Sequence, residues 1–123
     1  MTVRRLIQSK AARDTVGPRI ERIDKACGEL GIAAPVAGCI FSWEEKYGFE
    51  LEQLYKRLLK EKRTDVAILR RSQRAWLQYQ KRTCFSHELK AADEGPGVAS
   101  LASARCLLGT TLRRIEKLRA MLA

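Results

Sequence analysis

The stretch that decides the fold is "CFSHELKAADEGPGVASLASARC", which runs from Cys84 to Cys106. Its centre, "DEGPG", consists of residues that end helices and form turns. The two cysteines stand 11 residues before and 11 residues after Gly95. In an antiparallel helical hairpin, residues equidistant from the turn lie at the same height, which provides the Cα separation of roughly 4.4–6.8 Å that a disulfide needs. We therefore predict a helical hairpin closed by a Cys84–Cys106 bridge.

The other two cysteines repeat this arrangement around an earlier turn. Cys27 and Cys39 lie six residues either side of Ala33, inside "GIAAPVAG" (31–38), where small residues and Pro35 predict a turn. Four cysteines allow three pairings, and Cys27–Cys39 with Cys84–Cys106 closes both hairpins. Each bridge contributes about 2–4 kcal/mol, and such bridges persist in the periplasm or outside the cell.

Apolar periodicity assigns most of the remaining chain to helices. The clearest stripe alternates steps of three and four residues, as on one face of a helix: Ile40, Trp43, Tyr47, Leu51, Leu54 and Leu58. Ser42 and Glu45 suggest a capping box near its start, and Asp65 suits the N-cap of the next helix. The predicted helices are Thr2–Thr15, Pro18–Leu30, one ending near Lys62, one from Asp65 to about Ala92, and Val98–Leu122. The fold class is all-α, a small disulfide-stapled bundle of antiparallel hairpins with four to five helices.

The charge of the chain is strongly positive and unevenly distributed. Of the net charge of +10, +8 lies between Leu54 and Arg82, because this segment has ten Lys or Arg residues and only two acidic residues, Glu61 and Asp65. Such an excess attracts polyanions. Arg70, Arg74 and Lys81 share one predicted helix face and are the candidate residues for binding lipopolysaccharide, anionic lipid or nucleic acid. No apolar run approaches the roughly 20 residues of a spanning helix, and no signal peptide is visible in "MTVRRLIQSKAARD" (1–14).

Other functional patterns are weak. Trp76 and Tyr79 could stack on nucleic-acid bases, but their helical spacing favours a core and a boundary position. His87 follows Cys84 by three residues, yet the close cysteine pairs of structural zinc sites are absent. No nucleophile elbow, phosphate loop or metalloprotease motif is present. We expect a protein that is not an enzyme, with no metal, no cofactor and no small-molecule substrate.

Several segments in order resemble the LprI-like lysozyme-inhibitor family. "QRAWLQYQKRTC" (73–84) is similar to the family's "QRAWLxYRDAxC" helix, and "EGPGVAS" (94–100) to its Gly-rich loop. "SARCLLGTTLRRIEKLRAML" (103–122) resembles its "CLxxLTxxRxxEL" ending, and "YGFELEQLYKRLL" (47–59) its "LNxxYxxLL" helix. The resemblance covers about Cys27 to Leu122. It implies a single domain over 1–123, with an N-terminal helical extension (1–26) and an LprI-like helical domain (27–122).

The resemblance also implies a role and a location. Members are mainly exported bacterial proteins with disulfides, and some inhibit lysozyme, so the expected partner is lysozyme or another cell-wall hydrolase and the expected location periplasmic or secreted. Many lysozymes are basic, and like charges disfavour association with a +10 chain. A local acidic patch is therefore needed. The candidate target-binding residues are Glu88, Asp93, Glu94 and Gly95.

Overall fold

The protein is an all-helical bundle. The computed structural model describes residues 15–62 and 64–122. In chain order its helices are α1 (Val16–Gly28), α2 (Ala33–Glu61), α3 (Val66–Ala91), a 3-10 helix (Ala92–Glu94) and α4 (Pro96–Leu122). The described residues contain no strand, so the predicted fold class is confirmed. The first predicted helix, Thr2–Thr15, lies outside the described residues except for Thr15.

Helix α4 lies at the centre of the bundle. Helices α2 and α3 both pack along it, and α1 packs more lightly against α2 and α4. The core forms mainly between α2 and α4, from fully buried side chains that include Ile40, Leu58, Leu108, Leu112 and Leu118. Helices α2 and α3 make little direct contact with each other along their lengths. A groove therefore remains between them, with α4 as its floor.

The connection between α2 and α3 is defined by local capping. Lys62 ends α2 in the left-handed conformation, with φ of 52°, and its backbone N–H donates to the Leu58 carbonyl. Asp65 begins α3: its Oδ1 accepts a hydrogen bond from the Ile68 N–H at 3.1 Å. The predicted N-cap is confirmed, and it satisfies one of the free N–H groups of the first turn.

The turn between α1 and α2 is shorter than predicted. Helix α2 already begins at Ala33, so the prediction of a turn over 31–38 is wrong beyond Ile32. Pro35 is tolerated because it lies in the first turn, where its missing N–H would have no partner within the helix. Ser42 lies inside α2 and its hydroxyl donates to the Gly38 carbonyl at 3.1 Å. The predicted capping box with Glu45 is therefore also wrong.

Two disulfides join the helices in the predicted pairing. Cys27–Cys39 links α1 to α2 with a Cα separation of 5.6 Å, and Cys84–Cys106 links α3 to α4 with 5.3 Å. In the second hairpin the connection lies about midway between the two cysteines, as predicted. In the first hairpin the predicted symmetry is wrong, because the turn ends at Ile32 and Cys39 lies farther from it than Cys27.

Candidate functional site

The acidic residues predicted to bind a target lie at one end of the bundle. Asp93 and Glu94 belong to the 3-10 helix between α3 and α4 and are exposed, while Glu88 is half-buried in the last turns of α3. Gly95 has a φ of +113°, which permits the sharp entry into α4. The structure thus brings the four residues into one short segment, and their role in binding remains a prediction.

A second turn lies at the same end. A Cβ on Gly97, at the start of α4, would stand only 3.3 Å from the Ala34 backbone nitrogen at the start of α2. The α1–α2 turn therefore adjoins the α3–α4 connection. Together, residues 29–32 and 88–95 are termed the acidic end. They carry four carboxylates (Glu29, Glu88, Asp93 and Glu94) and one lysine (Lys90), a net charge of −3 in a chain whose total is +10.

The acidic end also exposes large apolar side chains. Leu30, Ile32 and Leu89 are 54%, 69% and 58% exposed. Buried apolar anchors surrounded by polar groups supply most of the binding energy of protein interfaces. Sequence reasoning missed these residues, although a leucine and an isoleucine flanking Gly31 in a turn were a visible signal.

The basic residues predicted to bind polyanions lie on another part of the surface. Arg70, Arg74 and Lys81 are all exposed on α3, at intervals that keep them on one helix face. Beside α3, a cationic pocket of about 390 Å³ is lined by Tyr79, Arg113 and Lys117 together with Trp76. Trp76 is half-buried against the core, and Tyr79 is exposed. Polyanion binding stays a prediction.

Among the described residues, His87 does not belong to a cluster of metal-binding side chains. It is exposed on α3, and the described residues contain no group of three or more His, Cys, Asp or Glu side chains placed to hold a metal ion. Cys84, its neighbour in sequence, is bonded to Cys106. Separately, no helix in the described ranges is both long and apolar enough to cross a membrane.

The groove between α2 and α3 encloses about 520 Å³. Its walls are mainly apolar, with Leu51, Tyr55 and Leu59 from α2 and Trp76 and Leu77 from α3. Leu77 is 42% exposed on this wall.

The floor of the groove is polar. Thr111 Oγ1 donates to Glu44 Oε1 at 2.8 Å, and Gln80 Nε2 donates to Thr111 Oγ1 at 3.0 Å and to Thr110 Oγ1 at 2.9 Å. Glu44 Oε2 is buried without a hydrogen-bond partner in the described structure. Burial raises the pKa of Glu44 to about 7, against the lowering effect of the Thr111 hydrogen bond.

A buried arginine lies one turn further along α4. Arg114 is 4% exposed. Its Nε donates to Gln73 Oε1 at 3.0 Å, and its Nη2 donates to Ser72 Oγ at 3.1 Å. Its guanidinium carbon lies 5.9 Å from the centroid of the Trp76 ring. Burial lowers the pKa of this guanidinium, and Tyr55 partly offsets that effect. Neutral groups therefore satisfy Arg114, and it does not neutralise Glu44.

The polar floor of the groove, formed by Glu44, Gln80 and Thr111, was not predicted from the sequence. A signal existed, since Glu44 lies four residues after Ile40 and seven before Leu51, within the apolar stripe of α2. Gln80 and Thr111 likewise interrupt apolar faces. A polar residue on a core-facing position indicates either a satisfied network or a binding group.

Comparison with known protein families gives a match over most of the chain. The model of the family described as lysozyme inhibitor LprI matches residues 32–118. This range includes α2, α3 and most of α4, and it begins after α1. No curated protein and no solved structure matches the chain.

Proposed function

The chain belongs to the LprI family of lysozyme inhibitors, and we propose that it is an exported inhibitor that docks its acidic end on lysozyme or a related cell-wall hydrolase. The family points to inhibition of a protein partner rather than to catalysis. A lytic toxin for which this chain is the immunity protein falls within the same proposal.

Two disulfides support export. Cys27–Cys39 and Cys84–Cys106 account for all four cysteines, and the described residues contain no free cysteine. Such bridges form and persist in the periplasm or outside the cell, whereas cytosolic thiols are kept reduced. Lysozyme acts on the cell wall, so an inhibitor has to meet it in such a compartment.

The observation that carries the docking proposal is the acidic end itself. A positively charged hydrolase is repelled by most of this surface, and the acidic end, at −3, offers a complementary field. Exposed Leu30, Ile32 and Leu89 supply apolar area that could be desolvated on binding. Charge would thus orient the encounter, and apolar burial would hold the complex.

The test is a double charge reversal. Asp93→Lys with Glu94→Lys is expected to weaken inhibition of a basic lysozyme by at least about 100-fold, because it turns attraction into repulsion at the contact. The control is Glu21→Lys with Glu45→Lys, two exposed residues outside the acidic end with the same change in net charge. Inhibition constants are measured by lysis of a peptidoglycan suspension. Equal loss in both variants, or no loss in the first, would remove the acidic end from the proposal.

The cationic pocket favours a second candidate function, polyanion binding. Aromatic Tyr79 beside Arg113 and Lys117, with Arg70, Arg74 and Lys81 exposed on α3, fits phosphate groups with apolar or aromatic neighbours. Binding through several phosphate contacts falls steeply between 50 and 200 mM salt. A docked inhibitor with buried apolar anchors should lose much less, so a salt titration separates the two functions.

A further inference from the structure

We propose that the groove between α2 and α3 is a second binding site, for a small molecule that carries a protonated amine on an apolar or aromatic body, with Glu44 as its counter-ion. This inference does not depend on the proposed function. It rests on the shape of the groove, the composition of its walls and the lack of a cationic partner for the carboxylate on its floor.

The shape and walls fit a small molecule. Ligand pockets typically enclose about 300–1,000 Å³ and combine apolar walls with few polar groups, and this groove encloses about 520 Å³. Tyr55 on one wall and Trp76 on the other present aromatic rings, which attract both apolar groups and cations. The polar groups are concentrated at the floor, so a ligand would point its polar head inward.

The floor lacks a positive charge. Glu44 accepts one hydrogen bond from Thr111, and its Oε2 has no partner. Each nearby cation is engaged elsewhere: Arg114 with Gln73, Ser72 and Trp76, and Lys56 with Glu52 at 3.2 Å on the rim. A buried carboxylate without a cationic partner is costly, and an ammonium group would relieve that cost. The terminal torsion of glutamate is soft, so the orientation of the carboxylate can adjust to a ligand in the groove.

The groups around Glu44 also predict how binding depends on pH. Glu52, Lys56 and Tyr55 line the groove from α2, α3 contributes no titratable side chain to it, and on α4 Arg114 lies one turn beyond Thr111. The carboxylate form binds the amine, and protonation removes the attraction. In the protein without ligand the pKa of Glu44 is about 7. The ionised fraction of Glu44 therefore rises about tenfold from pH 6 to pH 8, and the affinity for the amine rises with it.

Phenethylamine is a suitable probe, with uncharged 2-phenylethanol as its matched control. We expect phenethylamine to bind the full chain with a Kd of about 1 mM or tighter at pH 8, a value within reach of so small a ligand. Amide chemical shifts should move at Glu44, Gly48, Gln80 and Thr111, along with the Trp76 indole N–H. The alcohol should bind at least about tenfold more weakly.

Two variants decide whether Glu44 is the counter-ion. Glu44→Gln should lower the affinity for phenethylamine about tenfold or more and leave that for 2-phenylethanol unchanged. Glu45→Gln removes a neighbouring exposed carboxylate and should change neither. The proposal is overturned if the amine and the alcohol bind equally, if Glu44→Gln binds the amine as wild type does, or if the shifts lie outside the groove. A wild-type affinity that stays flat between pH 4 and pH 8 also overturns it.

Discussion

Ile32 is placed where it can contact a partner protein but does not stabilise the start of α2. It occupies the N-cap of α2 in an extended conformation, makes no side-chain cap and is 69% exposed. Serine, threonine, aspartate and asparagine are the preferred N-caps because their side chains accept a hydrogen bond from the first turn. An exposed isoleucine here therefore offers an apolar surface at the acidic end and leaves α2 uncapped.

This arrangement predicts opposite effects of one substitution. Ile32→Ser should raise the free energy of unfolding by about 0.5–1 kcal/mol through capping, and should weaken inhibition of the target hydrolase several-fold through the lost apolar contact. Chemical denaturation and an inhibition assay on the same sample measure both. Phe49→Ser is a control for lost apolar surface, since Phe49 is 65% exposed on α2 outside the acidic end. Unchanged inhibition by Ile32→Ser would exclude this residue from the interface.

Protonation of Glu44 makes the stability of the folded protein depend on pH. The carboxyl titrates with a pKa of about 7 when folded, against 4.5 for an unperturbed glutamate, so the folded state binds the proton more tightly than the unfolded state. The stability that this provides is present below pH 4.5 and is lost as the pH rises through 7.

Replacing Glu44 should therefore change the pH profile of stability. Glu44→Gln keeps an acceptor for the Thr111 hydroxyl and removes the charge, so its midpoint of thermal unfolding should match wild type near pH 4 and exceed it at pH 8. Glu45→Gln, an exposed neighbour, should follow the wild-type profile throughout. Parallel curves for Glu44→Gln and wild type between pH 5 and pH 8 would show that Glu44 does not titrate in this range.

At the scale of elements, the sequence predicted helices and cysteine pairs well but misplaced one turn. Gly95 and Pro96 interrupt the apolar pattern sharply, so the α3–α4 connection was visible. Pro35 led to the wrong prediction of a turn over 31–38, because the sequence alone does not distinguish a proline in the first turn of a helix from one in a loop. The groove could not be predicted, since it depends on α2 and α3 packing on α4 without closing on each other, which no local pattern encodes.

Helix α1 should depend on its disulfide more than the other helices do. It fully buries Val16, Ile23 and Cys27, and Ile20 packs against the edge of the core. An Asp24–Arg105 ion pair at 2.6 Å and Arg19, 5.8 Å from the Tyr47 ring centroid, add contacts at the surface. Cys27→Ala with Cys39→Ala should therefore release α1 locally, while α2, α3 and α4 keep their shared core.

Hydrogen exchange measures this directly. The Cys27–Cys39 variant should lose at least about tenfold in amide protection within α1 and retain it at the centres of α2 and α4. The matched variant Cys84→Ala with Cys106→Ala should instead lower global stability by about 3 kcal/mol, the amount expected for its loop length. Equal losses of protection in all helices of the first variant would show that α1 is integral to the core.

At the scale of the whole molecule, the charge separates into two regions. Of the net charge of +10, +8 lies between Leu54 and Arg82, over the last turns of α2, the following connection and most of α3, and the acidic end carries −3. The sequence identified the acidic residues of the α3–α4 turn, but not that Leu30 and Ile32 adjoin them, because that contact brings together residues about 60 positions apart. A basic partner approaching this field is turned toward the acidic end.

Docking through the acidic end can be tested by a hydrogen-exchange footprint of the full chain bound to the lysozyme that it inhibits. We expect slowed exchange in residues 29–32 and 88–98, with the exposed face of α3 around Arg70 and Arg74 unchanged. A footprint on that face of α3, or inhibition with no protection at the acidic end, would contradict it.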